Sequence, residues 1–401
     1  MAEAAGGAVV DLRTVTFSVP LEPPPGGRSH PLSVYHLDHC LVRAETRDGR
    51  VGWGEISDGW GCEYPGVATA IVTEALSRFV VGRDPGDVAG IVDTIRGWVR
   101  RRQGTVWLMA QAIGGVEIAL WDLEAQRRGV PVSAALGPAL RAAIPVYASG
   151  HFLGQADAAH HAASFADALA RNVDLVKVRI GADWRADLET LAELRALLPD
   201  GVGIGIDGNE AFSPKTAGAI AARFAELGIA FFEEPCPRAD REGLRRLVAN
   251  SRVPIAYGEH VHTAAGFREL DEQGHADVWQ PDATVCGGLL EGRAIADLAA
   301  QIGRPVSPHS ATSPVGIAAN LHLAAIAPTL AHLEFASGAV RRLAPFFPGA
   351  ATAADITGGA LAVPSGPGLG VRPDEEALLA EFPLQPKPPV HSRPALYLGS
   401  I

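Results

Sequence analysis

Two cations interrupt an otherwise apolar segment, LVKVRIG, at residues 175–181. Lys177 and Arg179 are separated by one residue, and side chains alternate between the two faces of a strand. If this segment is a strand, both cations point to the same side. A fixed pair of positive charges on one face suits an anionic group, so the segment indicates a site for a negatively charged substrate or intermediate.

Further ionisable or polar residues follow the apolar segments that come next in the chain. They are Asp207 and Asn209, Glu233 and Glu234, Glu259, Asp282, His309 and Glu334. Taken singly, each fits a turn, a solvated edge or an ordinary buried histidine. Together, three carboxylates at the ends of neighbouring strands would repel one another unless a cation lay between them. Oxygen ligands of this kind favour Mg²⁺.

The segments that carry these residues have the pattern of a repeated strand and helix. Eight candidate strands lie at residues 144–149, 175–180, 203–207, 230–234, 254–259, 277–282, 305–309 and 332–336. Amphipathic helices separate them, as in SPKTAGAIAARFAELG, where Ser213 can cap, Pro214 suits the first turn and Gly228 can close the helix. Eight such units favour a closed barrel, whose carboxyl-terminal strand ends share one mouth.

The remaining sequence predicts two flanking parts. Residues 1–140 combine strand-like segments, DLRTVTFSV and HCLVRAETRDGRVGWGE, with helical patterns near 66–81, 85–101 and 106–128, which is typical of an α+β domain. Residues 341–401 are rich in proline, glycine and alanine and are expected to return to the first domain. The predicted fold is α/β: a modified (β/α)8 TIM barrel over 141–340 with an N-terminal α+β capping domain over 1–140.

Composition excludes several classes of protein. The 401 residues are 47% hydrophobic and 20% charged, which predicts a large folded core, and the net charge of -11 disfavours nucleic acid as a partner. No apolar run approaches the roughly 20 residues needed to span a bilayer, and the start of the chain lacks a signal-peptide pattern. The four cysteines are widely spaced, which favours inert thiols in a reducing compartment. A cytoplasmic location, with no membrane partner, is expected.

Seven short motifs, in this order, resemble those of the enolase superfamily and its mandelate racemase subgroup. They are KVR, IDGN, FFEEP, YGE, QPD followed by GG, SPH and LEF. The resemblance covers nearly the whole chain. It implies a capping domain on a modified barrel, and Mg²⁺ bound by Asp207, Glu233 and Glu259. It also implies a small-molecule carboxylate as substrate and a homo-oligomeric assembly.

The resemblance also implies roles for the other residues. His309 would transfer a proton with Asp282 as its partner, whereas Lys177 and a protonated Glu334 would contact the substrate carboxylate. Such a site can stabilise the enediolate that forms when a proton next to a carboxylate is removed. The usual subgroup pattern is Lys-x-Lys, but the second position here is Arg179, which stays protonated and is expected to act electrostatically.

Loss of the second base disfavours a racemase and leaves His309 as the acid and base of a syn elimination. The sequence therefore predicts a hydro-lyase that converts an aldonate or aldarate to a 2-keto-3-deoxy acid. A cycloisomerase or epimerase acting on a sugar acid or lactone is one alternative, and a catalytically silent regulatory barrel is another.

The resemblance implies that substrate specificity lies mainly in two loops of the capping domain. Both loops, 20–32 and 57–66, are rich in glycine and proline and are equally compatible with ordinary surface loops. The candidate substrate-binding residues are Asn209, Arg28, His30, Trp60 and Tyr64.

Overall fold

The structure is a computed structural model that describes residues 7–21, 36–102, 107–181 and 183–387. Its strands are β1 Val9–Pro20, β2 His36–Thr46, β3 Val51–Ile56, β4 Ala143–Phe152, β5 Leu175–Arg179, β6 Gly203–Asp207, β7 Phe231–Glu233, β8 Ile255–Tyr257, β9 Val278–Trp279, β10 Leu333–Phe335 and β11 Ala360–Ala362. Its α-helices are α1 Pro65–Ala70, α2 Ser77–Val80, α3 Val88–Arg100, α4 Leu108–Arg128, α5 Val132–Leu136, α6 Ala158–Leu169, α7 Trp184–Leu197, α8 Pro214–Glu226, α9 Arg241–Asn250, α10 Thr263–Glu272, α11 Leu289–Ile302, α12 Pro314–Ile326, α13 Ser337–Leu343 and α14 Glu375–Glu381. A π-helical turn, Ile71–Leu76, joins α1 to α2.

The N-terminal domain is an antiparallel sheet, in the order β1-β2-β3, covered by helices. Helix α4 lies directly on β3, and glycines on both elements permit this close approach. A Cβ atom added to Gly54 would lie 2.0 Å from the carbonyl oxygen of Gly115, and one added to Gly52 would lie 2.3 Å from that of Ala119. Larger side chains at these positions would push the helix away from the sheet. The predicted α+β character of this domain is confirmed.

The second sheet is parallel from β4 through β9, with β10 beside β4. Val306 completes the ring, because it bridges Trp279 on one side and Leu330 on the other. The backbone N–H of Val306 donates to Thr329 at 3.0 Å, and Ala331 donates to Val306 at 2.8 Å. The predicted α/β barrel is therefore confirmed.

The seventh predicted strand, 305–309, is wrong in extent, since only Val306 pairs with its neighbours. Pro305 and Pro308 flank this residue and have no backbone N–H to donate to a sheet. The segment still occupies the seventh position of the barrel, and it delivers His309 to the same end as the neighbouring strands.

The helices begin and end at the capping residues that the sequence predicts. Ser213 accepts a hydrogen bond from the backbone N–H of Thr216 at 3.2 Å and thereby caps α8. Gly228, Gly274 and Gly303 have φ angles of 65°, 67° and 74°, in the left-handed region that favours glycine. Local sequence signals thus determine where these helices begin and end.

The C-terminal segment contacts both domains. Strand β11 pairs antiparallel with the start of β4. Farther along, Glu375 accepts a hydrogen bond from Arg13 at 2.8 Å, and the backbone of Gln385 donates to Ser18 at 2.7 Å. The segment therefore contacts β1 as well as β4, and the division of the chain at 140 and 340 stays a prediction.

All four cysteines are buried free thiols. Within the described ranges, the helices are too short or too polar for any of them to cross a bilayer.

Buried His322, in α12, forms hydrogen bonds to α5 and to the C-terminal segment. Its Nδ1 accepts from the backbone N–H of Ser133 at 3.2 Å, and its Nε2–H donates to the carbonyl of Leu369 at 3.2 Å. The bond from Ser133 requires the neutral ring, because a protonated Nδ1 cannot accept. Burial lowers the pKa of His322 to about 4, although its bond to Leu369 opposes this effect.

We predict that protonation of His322 contributes to acid destabilisation. Since its folded-state pKa lies below the ordinary value of about 6.5, its contribution is present above pH 6.5 and is lost as the pH falls toward 4, by up to about 3 kcal/mol. Urea unfolding of the His322→Gln variant should show a shallower pH dependence of the free energy of unfolding in this window. The matched change at exposed His160, His160→Gln, should retain the wild-type slope; equal slopes for all three proteins would contradict the assignment.

Candidate active site

Three carboxylates from consecutive strands converge at the barrel mouth. Asp207 ends β6, Glu233 ends β7 beside it, and Glu259 follows β8. One oxygen from each lies within 4.8 Å of those from the other two, and all three side chains are buried. Parallel strands bring their carboxyl ends to one edge, which explains how residues far apart in sequence form this cluster.

Lys177 lies inside the same cluster and is fully buried. Its Nζ donates to both oxygens of Glu233, at 2.7 Å and 2.9 Å, and lies 3.0 Å from an oxygen of Glu334. Burial opposes its charge, but Glu233 and Glu334 more than compensate and hold the pKa of Lys177 well above its usual value. Lys177 is therefore a permanent cation between two acidic groups.

The carboxylates remain crowded despite this lysine. Burial raises the pKa of Glu233 well above its usual value; Lys177 opposes the shift, whereas Asp207, Glu259 and Glu334 increase it. Three ionised carboxylates at this spacing require additional positive charge. Their hard oxygen donors and their close spacing fit a divalent ion such as Mg²⁺. A buried oxygen of Gln280, Oε1, has no hydrogen-bond partner among the described residues and lies in the same region of the barrel.

Arg179 lies at the end of β5 and forms an ion pair with Asp207 at the end of the neighbouring β6. Its Nε lies 3.1 Å from an oxygen of Asp207, its Nη1 donates to the carbonyl of Gly150 at 2.7 Å, and its Nη2 lies 3.9 Å from Glu334. Lys177 and Arg179 thus share one side of the sheet, as the alternation predicts. The guanidinium orients Asp207 as well as adding positive charge near Glu334.

His309 and Asp282 form a buried pair on the opposite side of the mouth. The Nδ1 of His309 lies 2.9 Å from Asp282, which fixes the ring and leaves Nε2 facing Glu259 at 3.7 Å and Glu334 at 3.6 Å. Burial alone would lower the pKa of His309, but Glu259, Glu334 and Asp282 raise it to about 10. A cation bound by Glu259 would offset part of this effect and favour the neutral ring.

Asp282 is itself held in place by residues that the sequence analysis missed. One of its oxygens accepts from the backbone N–H of Thr284 at 2.8 Å, from its hydroxyl at 2.7 Å and from the amide of Asn320 at 2.9 Å. Asn320 is a polar residue within the apolar sequence of α12, a pattern that could have indicated a buried partner. Asp282 accordingly has little freedom to rotate away from His309.

Glu334 is buried at the centre of the site. Burial alone would raise its pKa, but Lys177, His309 and Arg179 together lower the pKa of Glu334 below its ordinary value. These three cations favour the ionised form of Glu334, and the expected protonated form in contact with a substrate carboxylate stays a prediction. Both of its oxygens lack a hydrogen bond of good geometry to the described residues, which leaves them available to a donor in the mouth.

The candidate substrate-binding residues are placed in different surroundings. Asn209 donates to Asp207 from its backbone at 2.9 Å and from its side chain at 3.2 Å. Trp60 lines a cavity of about 160 Å³ together with Asp38 and Lys387. Tyr64 is half exposed and packs edge-on against Trp107, with ring centroids 6.1 Å apart. Arg28 and His30 lie outside the described residues. Roles for these five residues stay predictions.

Gln280, the first residue of the QPD motif, was not predicted from the sequence to contact the site. Its side-chain amide donates to Glu233 at 2.7 Å. Gln280 lies two residues before Asp282, so strand alternation could have placed both side chains on the same face.

Glu55, at the end of β3, links the capping domain to the segment that follows His309. Its carboxylate accepts from the hydroxyl and backbone of Ser313, at 2.6 Å and 3.2 Å, and from the backbone of Gly316 at 3.0 Å. It also lies 3.1 Å from the Nδ1 of His39. Glu55 therefore satisfies the free N–H groups at the start of α12.

We predict that Glu55→Ala lowers the free energy of unfolding by at least about 2 kcal/mol, because it leaves several buried donors unpaired. Chemical denaturation measures this loss. The change Glu74→Ala, at an exposed position of the same domain, should alter the free energy by less than about 0.5 kcal/mol. A loss at Glu55 no larger than that at Glu74 would show that this interdomain contact does not stabilise the fold.

Two family models match the sequence of this chain. Residues 159–377 match the family model described as enolase C-terminal domain-like, and residues 27–137 match the N-terminal domain of mandelate racemase and muconate lactonizing enzyme. The two matches cover the barrel and the capping domain.

Two curated relatives and one solved structure illustrate the similarity. D-galactarolactone cycloisomerase from Agrobacterium fabrum is 31% identical over 357 residues, which cover 85% of this chain and 90% of the relative. D-gluconate dehydratase from Thermoproteus tenax is 31% identical over 359 residues, which cover 84% of this chain and 68% of the relative. A racemase from Streptomyces coelicolor, solved with bound magnesium, superposes with a TM-score of 0.81 at 25% identity, covering 93% of this chain and 99% of the other.

Proposed function

The chain belongs to the mandelate racemase and muconate lactonizing enzyme family of the enolase superfamily, and we propose that it is a magnesium-dependent dehydratase of sugar acids. Its relatives include both sugar-acid dehydratases and a cycloisomerase. The proposed reaction converts an aldonate or aldarate to a 2-keto-3-deoxy acid. The arrangement of His309 opposite two permanent cations carries this proposal.

Asp207, Glu233 and Glu259 are the residues that would hold Mg²⁺. When bound, the ion supplies positive charge to the substrate carboxylate and offsets the crowding of the three acidic groups. Asp207 and Glu233 end β6 and β7, and Glu259 lies two residues after β8, so three neighbouring strands of the barrel position these side chains.

The proton transfers are assigned to His309. In its neutral form, Nε2 takes the proton from the carbon next to the substrate carboxylate, while Asp282 stabilises the resulting imidazolium. The electron pair released by that C–H bond delocalises into the carboxylate, where Lys177 and Arg179 stabilise the added charge. Expulsion of the 3-hydroxyl, which takes the proton back from His309, gives water and an enol that tautomerises to the 2-keto acid.

Arg179 favours elimination over racemisation. Racemisation needs a base on each face of the carbon, but a guanidinium does not lose its proton at ordinary pH. Arg179 is moreover bonded to Asp207 and to the carbonyl of Gly150. One histidine can remove the proton and protonate a leaving hydroxyl on the same side.

A sugar-lactone cycloisomerase is the second candidate, because D-galactarolactone cycloisomerase is a relative that matches most of this chain. Both reactions begin with abstraction of the same proton and differ in whether water leaves. The mass of the product distinguishes them, since dehydration removes one water and isomerisation leaves the mass unchanged.

We predict that Mg²⁺ stabilises the protein through the three carboxylates. Ligand present at about 100 times its dissociation constant adds about 2.7 kcal/mol to the free energy of unfolding. Thermal melting with EDTA and with excess Mg²⁺ should show this gain in the wild type and in Glu272→Gln, an exposed control. Glu259→Gln should lose most of the gain; an unchanged response in that variant would argue against a metal site here.

We also predict that His309→Asn abolishes both turnover and solvent deuterium exchange at the carbon next to the carboxylate. The assay is a panel of aldonates, aldarates and lactones with Mg²⁺, read by 2-keto acid formation, product mass and deuterium incorporation. Removal of the base should lower the rate at least about 100-fold. Exchange that persists in His309→Asn would reveal another base and contradict the single-histidine mechanism.

A further inference from the structure

A second pair of imidazole and carboxylate lies at the barrel mouth, beside the pair assigned to proton transfer. The Nδ1 of His260 lies 3.1 Å from an oxygen of Glu234, much as the Nδ1 of His309 lies 2.9 Å from Asp282. Both rings are therefore held through Nδ1. Neither His260 nor Glu234 has a part in the mechanism above.

The backbone turns Glu234 toward this position. Glu233 and Glu234 are consecutive, so an unbroken strand would point them to opposite faces. Strand β7 instead ends at Glu233, and Glu234 has a φ angle of 38°, in the left-handed region that is strained for this residue. Such strain is found at sites where a side chain has a defined task. Glu234 is buried, and its oxygen also lies 3.6 Å from Nη1 of Arg238.

The Nε2 side of the His260 ring and the ring of His309 both lie close to Gly59. Gly59, in the capping-domain loop 57–62, has a φ angle of 111°. A Cβ atom added there would lie 3.6 Å from the Nε2 of His260 and 3.8 Å from the Cε1 of His309. One backbone position of the capping loop thus adjoins both rings. The side chain of His260 is 35% exposed, whereas that of His309 is 3% exposed, so His260 lies nearer the opening.

We propose that His260, positioned by Glu234, binds a hydroxyl group of the substrate on a carbon beyond the two that react. This inference rests on the proposed function, because it assumes that the substrate carboxylate lies beside Lys177 and Glu334. With the reacting carbons of the substrate held at His309, the remaining carbons of the substrate extend toward the opening of the mouth. His260 and Gly59 lie close together there. His260 is then a determinant of specificity for polyhydroxy acids.

The chemistry of the ring suits this task. Since Nδ1 is occupied by Glu234, the atom available to substrate is Nε2. A hydroxyl group both donates and accepts, so it can pair with Nε2 in either protonation state of the ring. A site built to bond a hydroxyl rejects analogues that lack it, because its own polar atom is then left unpaired.

One alternative uses the same residues. Ligand atoms of Glu234, Glu259 and His260 lie within 4.8 Å of one another and could hold a metal ion. In this geometry, however, His260 reaches the two carboxylates through the same nitrogen, Nδ1, at 3.1 Å and 3.4 Å, which leaves Nε2 directed elsewhere. Metal binding is therefore an outcome for the experiment to separate.

The test compares two substrates in each variant. The first is the best polyhydroxy acid from the panel, and the second is a three-carbon 2,3-dihydroxy acid that has no distal hydroxyl. We expect His260→Leu to reduce the ratio of kcat/KM for the long acid to that for the short acid by about tenfold, the fold-change of one hydrogen bond. His260→Gln retains a polar group at similar reach and should recover part of that ratio. Exposed His160→Leu, on α6, should leave the ratio unchanged.

Two results would overturn the proposal. One is an unchanged ratio in His260→Leu. The other is a fall in the affinity or stoichiometry of Mg²⁺ in that variant, measured by calorimetry without substrate, which would make His260 a metal ligand. The proposed function fails separately, through persistence of deuterium exchange in His309→Asn, so failure of one assignment does not imply failure of the other.

Discussion

Repulsion among buried carboxylates is the constraint on which the rest of the site depends. Asp207, Glu233 and Glu259 occupy one small volume inside the barrel mouth, and Glu334 and Asp282 lie close by. Lys177 and Arg179 supply permanent positive charge on one side, and His309 supplies a titratable charge on the other. Such a set is stable only with further positive charge. The same excess of negative charge that recruits a cation also sets the proton affinity of His309.

The fold makes this arrangement rigid. Asp207 and Glu233 end their strands, and Glu259 and Asp282 lie within three residues after theirs. Additional hydrogen bonds from Gln280, Thr284 and Asn320 fix Glu233 and Asp282. The capping domain contributes through Glu55, which ties β3 to the start of α12, and through the loop around Gly59. A preorganised site of this kind does not need to reorient its charges as negative charge develops on a substrate. The barrel therefore fixes the charged groups, while the capping loop at Gly59 adjoins the rings of His260 and His309.

Much of this architecture could be predicted from sequence, because local rules determine it. Strand alternation placed Lys177 and Arg179 on one face, and the barrel topology brought Asp207, Glu233 and Glu259 together. The short seventh strand was not anticipated: only Val306 forms bridges to the neighbouring segments, and Pro305 and Pro308 have no backbone N–H with which to extend the strand. The charge of Glu334 could not be derived from the sequence, because it depends on distances to three cations that sequence spacing does not provide. The His260–Glu234 pair was similarly hidden, since it requires the left-handed turn at Glu234.

The most direct measurement is anomalous diffraction from crystals grown with Mn²⁺, an ion that accepts the same oxygen ligands as Mg²⁺. The account predicts one strong peak coordinated by Asp207, Glu233 and Glu259. A fully occupied peak elsewhere, or none at saturating Mn²⁺, would contradict the claim that these carboxylates are kept together to bind a divalent ion.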